Sequence, residues 1–192
     1  MKQETIRLHR WARPDYDRLI ERGIFQPEDR VELLDGLLVV KEPQDTPHAT
    51  AIDLVAAALR VAFGPGWLVR VQAPLAAGRR SEPEPDVYVA SGAPRDYLRE
   101  HPTRPALVVE VAHSRLRLDR TRKAAIYARA GVEDYWILNL VDRVLEIHRE
   151  PARLDAPRRR WRYHSIQTLG PEETVTPLAA PGARIAIADL LP

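Results

Sequence analysis

Residues 106–140 read ALVVEVAHSRLRLDRTRKAAIYARAGVEDYWILNL, and the fold follows from this stretch. Its opening run, 106–112, is the most apolar strand signal in the chain, as expected for a central position in a sheet covered on both faces. A helix is predicted from about Leu118 to Ala130, with Gly131 as its stop. Segments 134–140 and 143–149 then read as two strands around a tight Val141-Asp142 turn. Within the first strand Leu107, Val109 and Val111 share one face, while Val108 and Glu110 share the other. A carboxylate there is costly to bury unless it is paired or holds a cation. The plain alternative places Glu110 near a sheet edge or against an arginine.

Working outward, 14–22 read as a short helix opened by Pro14 and closed by Gly23. Residues 30–34 and 37–41 form a hairpin signal, because Asp35-Gly36 supplies the positive φ of a type I′ turn. Thr46 offers a helix N-cap with Pro47 at the first helical position. Ile52, Val55, Ala56, Leu59 and Phe63 then recur at helical spacing up to Gly64. Strands are predicted at 67–71 and 86–90, and a loop with a short helix at 94–105. The Pro- and Arg-rich tail holds a strand at 161–166 and a small element at 185–191. Together these give an α/β protein of the α+β mixed-sheet kind, one domain over 1–192. Its core spans about 28–150, preceded by a helix and hairpin, with a C-terminal β extension at 151–192.

The chain has 192 residues, 45% hydrophobic and 29% charged, and no cysteine. That composition fits a globular protein and excludes disulfides, thiolate metal sites and cysteine nucleophiles. Residues 1–11 alternate charged and apolar side chains without the apolar core of a secretory signal, and no apolar run is long enough to span a bilayer. A cytoplasmic location is the expectation. Of 29 Lys plus Arg, only Lys2, Lys41 and Lys123 are lysines, at a net charge of +2. Arginine grips phosphates bidentately, but heat adaptation or base composition would give the same bias. Glycine-rich phosphate loops, the G-x-S-x-G elbow and H-E-x-x-H pairs are all missing from the sequence.

Two more acids stand on predicted strands. Asp86 follows Pro85 behind Glu82 and Glu84, where a solvated acidic loop is the plain reading. Glu32 lies between Val31 and Leu33, where simple alternation toward solvent would explain it. Convergence of Glu32, Asp86 and Glu110 at strand ends would instead suit a hard divalent cation. Lys123 falls on the following helix with Asp119 four residues before it and Tyr127 four after. It is either half of a surface Asp119–Lys123 pair or a deliberate exception in an arginine-using chain, since lysine delivers a compact charge.

The runs RVELLDG (30–36), EPEPDV (82–87) and VVEVAHSRLRLDRTRKAAIYARAGVEDYWILNL (108–140), with His48, resemble the Uma-type restriction endonuclease family within the PD-(D/E)XK nuclease superfamily. The resemblance implies a four-stranded mixed core sheet flanked by helices, a Mg²⁺ (or Mn²⁺) site and phosphodiester cleavage. It assigns Asp86 and Glu110 to the metal and Glu32 to an additional acid. The usual lysine position is Ala112 here, and the family pattern makes Lys123 the substitute. Leu37 stands where relatives often carry an acid, and His113-Ser114-Arg115 replaces a more usual Ser-Pro-Ser. His48 and Tyr127 become supporting residues, and Tyr135 and Trp136 read as core.

The expected function is a metal-dependent endonuclease acting on DNA as a homodimer. Arg79, Arg80, Arg115, Arg117, Arg120 and Arg122 are candidates for phosphate contacts. Two alternatives remain: a catalytically inactive nucleic-acid-binding or assembly module on the same fold, and a metal hydrolase of small phosphate esters.

Overall fold

The computed structural model describes residues 9–26, 28–41, 43–154 and 160–192. Most of the alternating segment at 1–11 lies outside them. The chain begins with α1 (Arg13–Glu21) and the hairpin β1 (Val31–Leu34) and β2 (Leu37–Val40), followed by α2 (Thr46–Phe63). Next come β3 (Trp67–Val71), β4 (Val87–Ser91) and β5 (Leu107–Ala112). A helical segment then runs from α3 (Leu116–Leu118) through a π-helical turn (Asp119–Lys123) into α4 (Ala124–Ala130). The chain closes with β6 (Asp134–Asn139), β7 (Val144–Arg153), β8 (Trp161–Leu169), β9 (Thr174–Val175) and β10 (Ile185–Ala186).

Strands β3-β4-β5-β6-β7-β8 form one mixed sheet in that order. β5 and β6 run parallel, and every other neighbouring pair is antiparallel. The parallel pair needs the crossover that the helical segment supplies. The sheet has six strands, two more than the four-stranded core the resemblance implied, and its last strand, β8, pairs with β7 from Leu145 to Arg153.

Both sheet faces are buried, which explains the unbroken apolar reading of 106–112. On one face α2 packs Val55, Ala56 and Leu59 against Val87, Val89, Val109, Trp136 and Leu138. On the other, Ile126, Tyr127 and Ala128 of α4 pack against Tyr88, Val108, Ala112, Tyr135 and Ile137. Gly131 ends α4 at φ +79°. Tyr135 and Trp136 are fully buried in the sheet's two cores.

Two local expectations shift. Asp45, rather than Thr46, caps α2, accepting the His48 N–H at 2.9 Å. Either side chain could cap, and Asp45 is also drawn in by His113 Nδ1, 2.5 Å away. The hairpin turn does use positive φ at Asp35 and Gly36, but β1–β2 stays outside the main sheet. It is strapped to residues 81–84 by reciprocal backbone hydrogen bonds between Leu33 and Glu82.

Candidate active site

The site grows out of the parity of β5. Because Leu107, Val109 and Val111 turn toward α2, Glu110 turns toward α4, between Val108 and Ala112. It is buried, accepts the Tyr127 hydroxyl on Oε1 at 2.5 Å and stands 3.0 Å from Lys123 Nζ. Lys123 also lies 3.7 Å from Glu32 and 3.9 Å from Asp119. The strap at Leu33–Glu82 is what brings Glu32 in; its second oxygen accepts the Glu84 N–H at 3.1 Å. Asp86, at the mouth of β4, accepts the Val111 N–H at 2.8 Å and is 3.4 Å from His48 Nε2.

The four residues Glu32, Asp86, Glu110 and Lys123 thus surround one cleft, together with His48, Glu84, His113, Arg115 and Asp119. The surface reading of the Asp119–Lys123 pair fails, since the two residues are only 4% and 7% exposed. The acidic-loop reading fails too, with Glu82 and Asp86 both buried. Asp119 is the residue the sequence reading undervalued; its spacing of four from Lys123 and eight from Tyr127 is the signal that places all three on the inward side of the helical segment.

The charge balance in the buried part of the cleft is uneven: the carboxylates of Glu32, Asp86, Glu110 and Asp119 face one buried ammonium, Lys123, while His48, Lys41 and Arg115 are only half-buried. Burial pushes Glu110 up to about 8, against the opposing pull of Lys123, and pushes Asp119 up to about 6. Burial works against the Lys123 charge, yet Glu110, Glu32, Asp119 and Asp86 outweigh it and raise its pKa. All three shifts describe a buried cluster that retains protons because burial, and then the neighbouring carboxylates, disfavour further negative charge. Burial also opposes ionisation of Asp86, but the His48 contact, the Lys123 charge and the Val111 N–H hold its carboxyl below the ordinary value.

Among the described residues, no three His, Asp or Glu side chains already converge as a metal cage. Mg²⁺ does not need one, since it keeps several waters and takes one or two carboxylates. The oxygen-only donors Asp86 and Glu110 and the excess negative charge fit such an ion.

The candidate arginines are not gathered in one place. Arg115 lines the cleft. Arg79 and Arg80 are exposed on a turn whose carbonyls accept the N–H groups of Arg13 and Gly36, away from the cleft lining. Arg117 is exposed, Arg122 is half-buried, and neither lines the cleft. Arg120 points to the far side, onto Glu146. Arg30 and Lys41, on the hairpin, line the cleft instead; Lys41 Nζ is 3.0 Å from Glu84.

A mixed sheet between helices, with one acid at the mouth of β4, another within β5 and a lysine leaning in from the crossover helix, defines a restriction-endonuclease-like scaffold. Residues 13–188 match the profile of the Uma2 family, described as "putative restriction endonuclease", and the chain belongs to that family. The crystal structure of a protein described as a putative nuclease of DUF820 from Anabaena variabilis ATCC 29413 has the same fold. The two agree with a TM-score of 0.72 at 14% identity, over 94% of this chain and 97% of that one. No curated protein matches the chain. Among the described residues no helix is long and apolar enough to cross a membrane.

Proposed function

We propose that this protein is a metal-dependent endonuclease that hydrolyses phosphodiester bonds in DNA. The observation that carries the reading is the buried Glu110–Lys123 contact at 3.0 Å inside a cleft that Asp86 and Glu32 also line. Asp86 and Glu110 would hold Mg²⁺, with Glu32 completing the outer arrangement. When bound, the ion lowers the pKa of water and neutralises charge on the scissile phosphate. Lys123 keeps its proton in this setting, so its role is that of a fixed positive charge that orients water and steadies negative charge developing on the phosphate. Tyr127 fixes one oxygen of Glu110, leaving the other for the cleft. The Val111 N–H does the same for Asp86, with His48 beside it. Arg30, Lys41 and Arg115 supply positive charge on the cleft lining for the flanking phosphates.

Ala112, where the superfamily usually has lysine, is buried beside α4 and has no opening to the cleft. That favours a second reading, a nucleic-acid-binding module without turnover. Incubation of linear and supercoiled duplex DNA with Mg²⁺ or Mn²⁺ separates them. Cleavage by wild type and its loss in Asp86→Asn supports the nuclease. Salt-sensitive DNA retention without cleavage selects the binding module, and equal cleavage by both proteins overturns the assignment. Sedimentation of the protein alone and with DNA tests the homodimer.

A further inference from the structure

The π-helical turn at Asp119–Lys123 faces two ways. Asp119 and Lys123 line the acidic cleft, while Arg120 and Thr121 line a separate groove between α4 and β8. The Arg120 guanidinium forks onto Glu146 of β7, with Nε 2.9 Å from Oε2 and Nη2 2.5 Å from Oε1. Glu146 is itself buried, and Asn139 Nδ2 donates to it at 3.4 Å. From the neighbouring strand β6, the Tyr135 hydroxyl donates to the Asp119 carbonyl at 3.1 Å. That same carbonyl accepts the N–H of Ala124, five residues on.

A π-helical turn carries one residue more than its α-helical neighbours allow, with an irregular hydrogen-bond ladder. Such irregularities persist where side chains from outside occupy the ladder. Here the Tyr135 hydroxyl does so on the Asp119 carbonyl, while Glu146 holds the adjacent Arg120 side chain from the same sheet. If the turn relaxed to regular α-helix, the side chains after it would rotate by about 100° relative to α3, the angle of one residue. Lys123 could not then keep its place against Glu110.

We propose that Arg120, Glu146 and Tyr135 are positioning residues, which hold the π-helical turn in register and so fix the Lys123 ammonium against Glu110. The inference rests on Lys123 serving the proposed nuclease site, but its first test needs no cleavage. Lys2, Lys41 and Lys123 are the only lysines of the chain. Acylation with an N-hydroxysuccinimide ester, read by peptide mass spectrometry, therefore reports Lys123 against Lys41 in one molecule. The variants are Arg120→Ala, Tyr135→Phe, the conservative Arg120→Lys, and Leu190→Ala as a destabilised control in the core on the opposite sheet face.

Acylation of Lys123 is expected to rise about tenfold in Arg120→Ala and Tyr135→Phe, the scale set by losing one good hydrogen bond to a locally opening segment. Arg120→Lys is expected to regain much of the protection, and Leu190→Ala to stay at the wild-type ratio. In DNA cleavage the first two variants should lose about tenfold in kcat at unchanged KM and Mg²⁺ dependence. Unchanged Lys123 protection in both variants, or an equal rise in Leu190→Ala, overturns the proposal. A wild type that cleaves no DNA overturns the nuclease reading instead, and the acylation ratios still decide the positioning role.

Discussion

Glu110→Gln should stabilise the protein while abolishing its proposed activity. Burial raises the Glu110 carboxyl from its ordinary 4.5 to about 8, so the folded state keeps a proton that the unfolded chain has already released. Stability from this group is therefore whole below pH 4.5 and declines as pH rises toward 8. Each pKa unit is worth about 1.4 kcal/mol, which puts the strain at several kcal/mol by pH 8. The residue is 2% exposed, so solvent screening removes little of it. Glutamine preserves the shape, and its amide oxygen can still accept from Tyr127 and Lys123. Allowing for relaxation around the neutral side chain, the variant should be more stable by about 2–4 kcal/mol in metal-free buffer at pH 8, a Tm rise of roughly 5–15 °C. The gap should close toward pH 4.5. Differential scanning calorimetry across that range in EDTA measures it, and Mg²⁺ should then raise the Tm of wild type at pH 8 more than that of the variant. A variant melting at or below wild type at pH 8, or a gap indifferent to pH, would refute the account of Glu110 as a carboxyl whose ionisation burial opposes.

His48→Ala removes the contact that helps keep Asp86 ionised, so the acid limb of the cleavage pH profile should move to higher pH. An unmoved limb would detach His48 from Asp86. Arg115→Ala should lower the salt slope of DNA binding by about one charge, whereas Arg120→Ala should leave it unchanged; fluorescence anisotropy at graded salt distinguishes them. A Cβ on Gly36 would come within 2.9 Å of Arg10 Cβ and the Trp11 carbonyl at φ +77°, so Gly36→Ala should cost about 1–3 kcal/mol in urea melts. Asp134 is buried and accepts from Trp136 Nε1, Arg149 and the Leu178 N–H. Asp134→Ala should lower stability by about 3–5 kcal/mol without changing the proposed site, as chemical denaturation and Mg²⁺ titration together would reveal.

Much of the scaffold was legible because it is encoded locally. Apolar spacing marked α2, Asp35-Gly36 marked the hairpin, and the parity of 107–111 put Glu110 on the face opposite Leu107, Val109 and Val111. What could not be read depends on partners distant in sequence. The π-helical turn depends on Tyr135 and Glu146, which lie in later strands, so nothing within 118–130 distinguishes it from ordinary α-helix. Burial of Glu82 depends on β1 lying across it. The placement of the arginines was hidden for a related reason: composition shows how many there are, but only the crossover geometry sends Arg115 to the cleft and Arg120 onto Glu146.

The strap between Leu33 and Glu82 has a consequence for biosynthesis. Glu32 enters the cleft only once the hairpin is pinned to a segment made much later, and the amine that meets it is made later still. A chain that has emerged only as far as α2 therefore holds no partial version of the cleft, since Glu32 waits on the segment at 82–84 and Glu110 and Lys123 are not yet translated. The order of translation thus delays assembly of the acidic cleft until the crossover helix has been made.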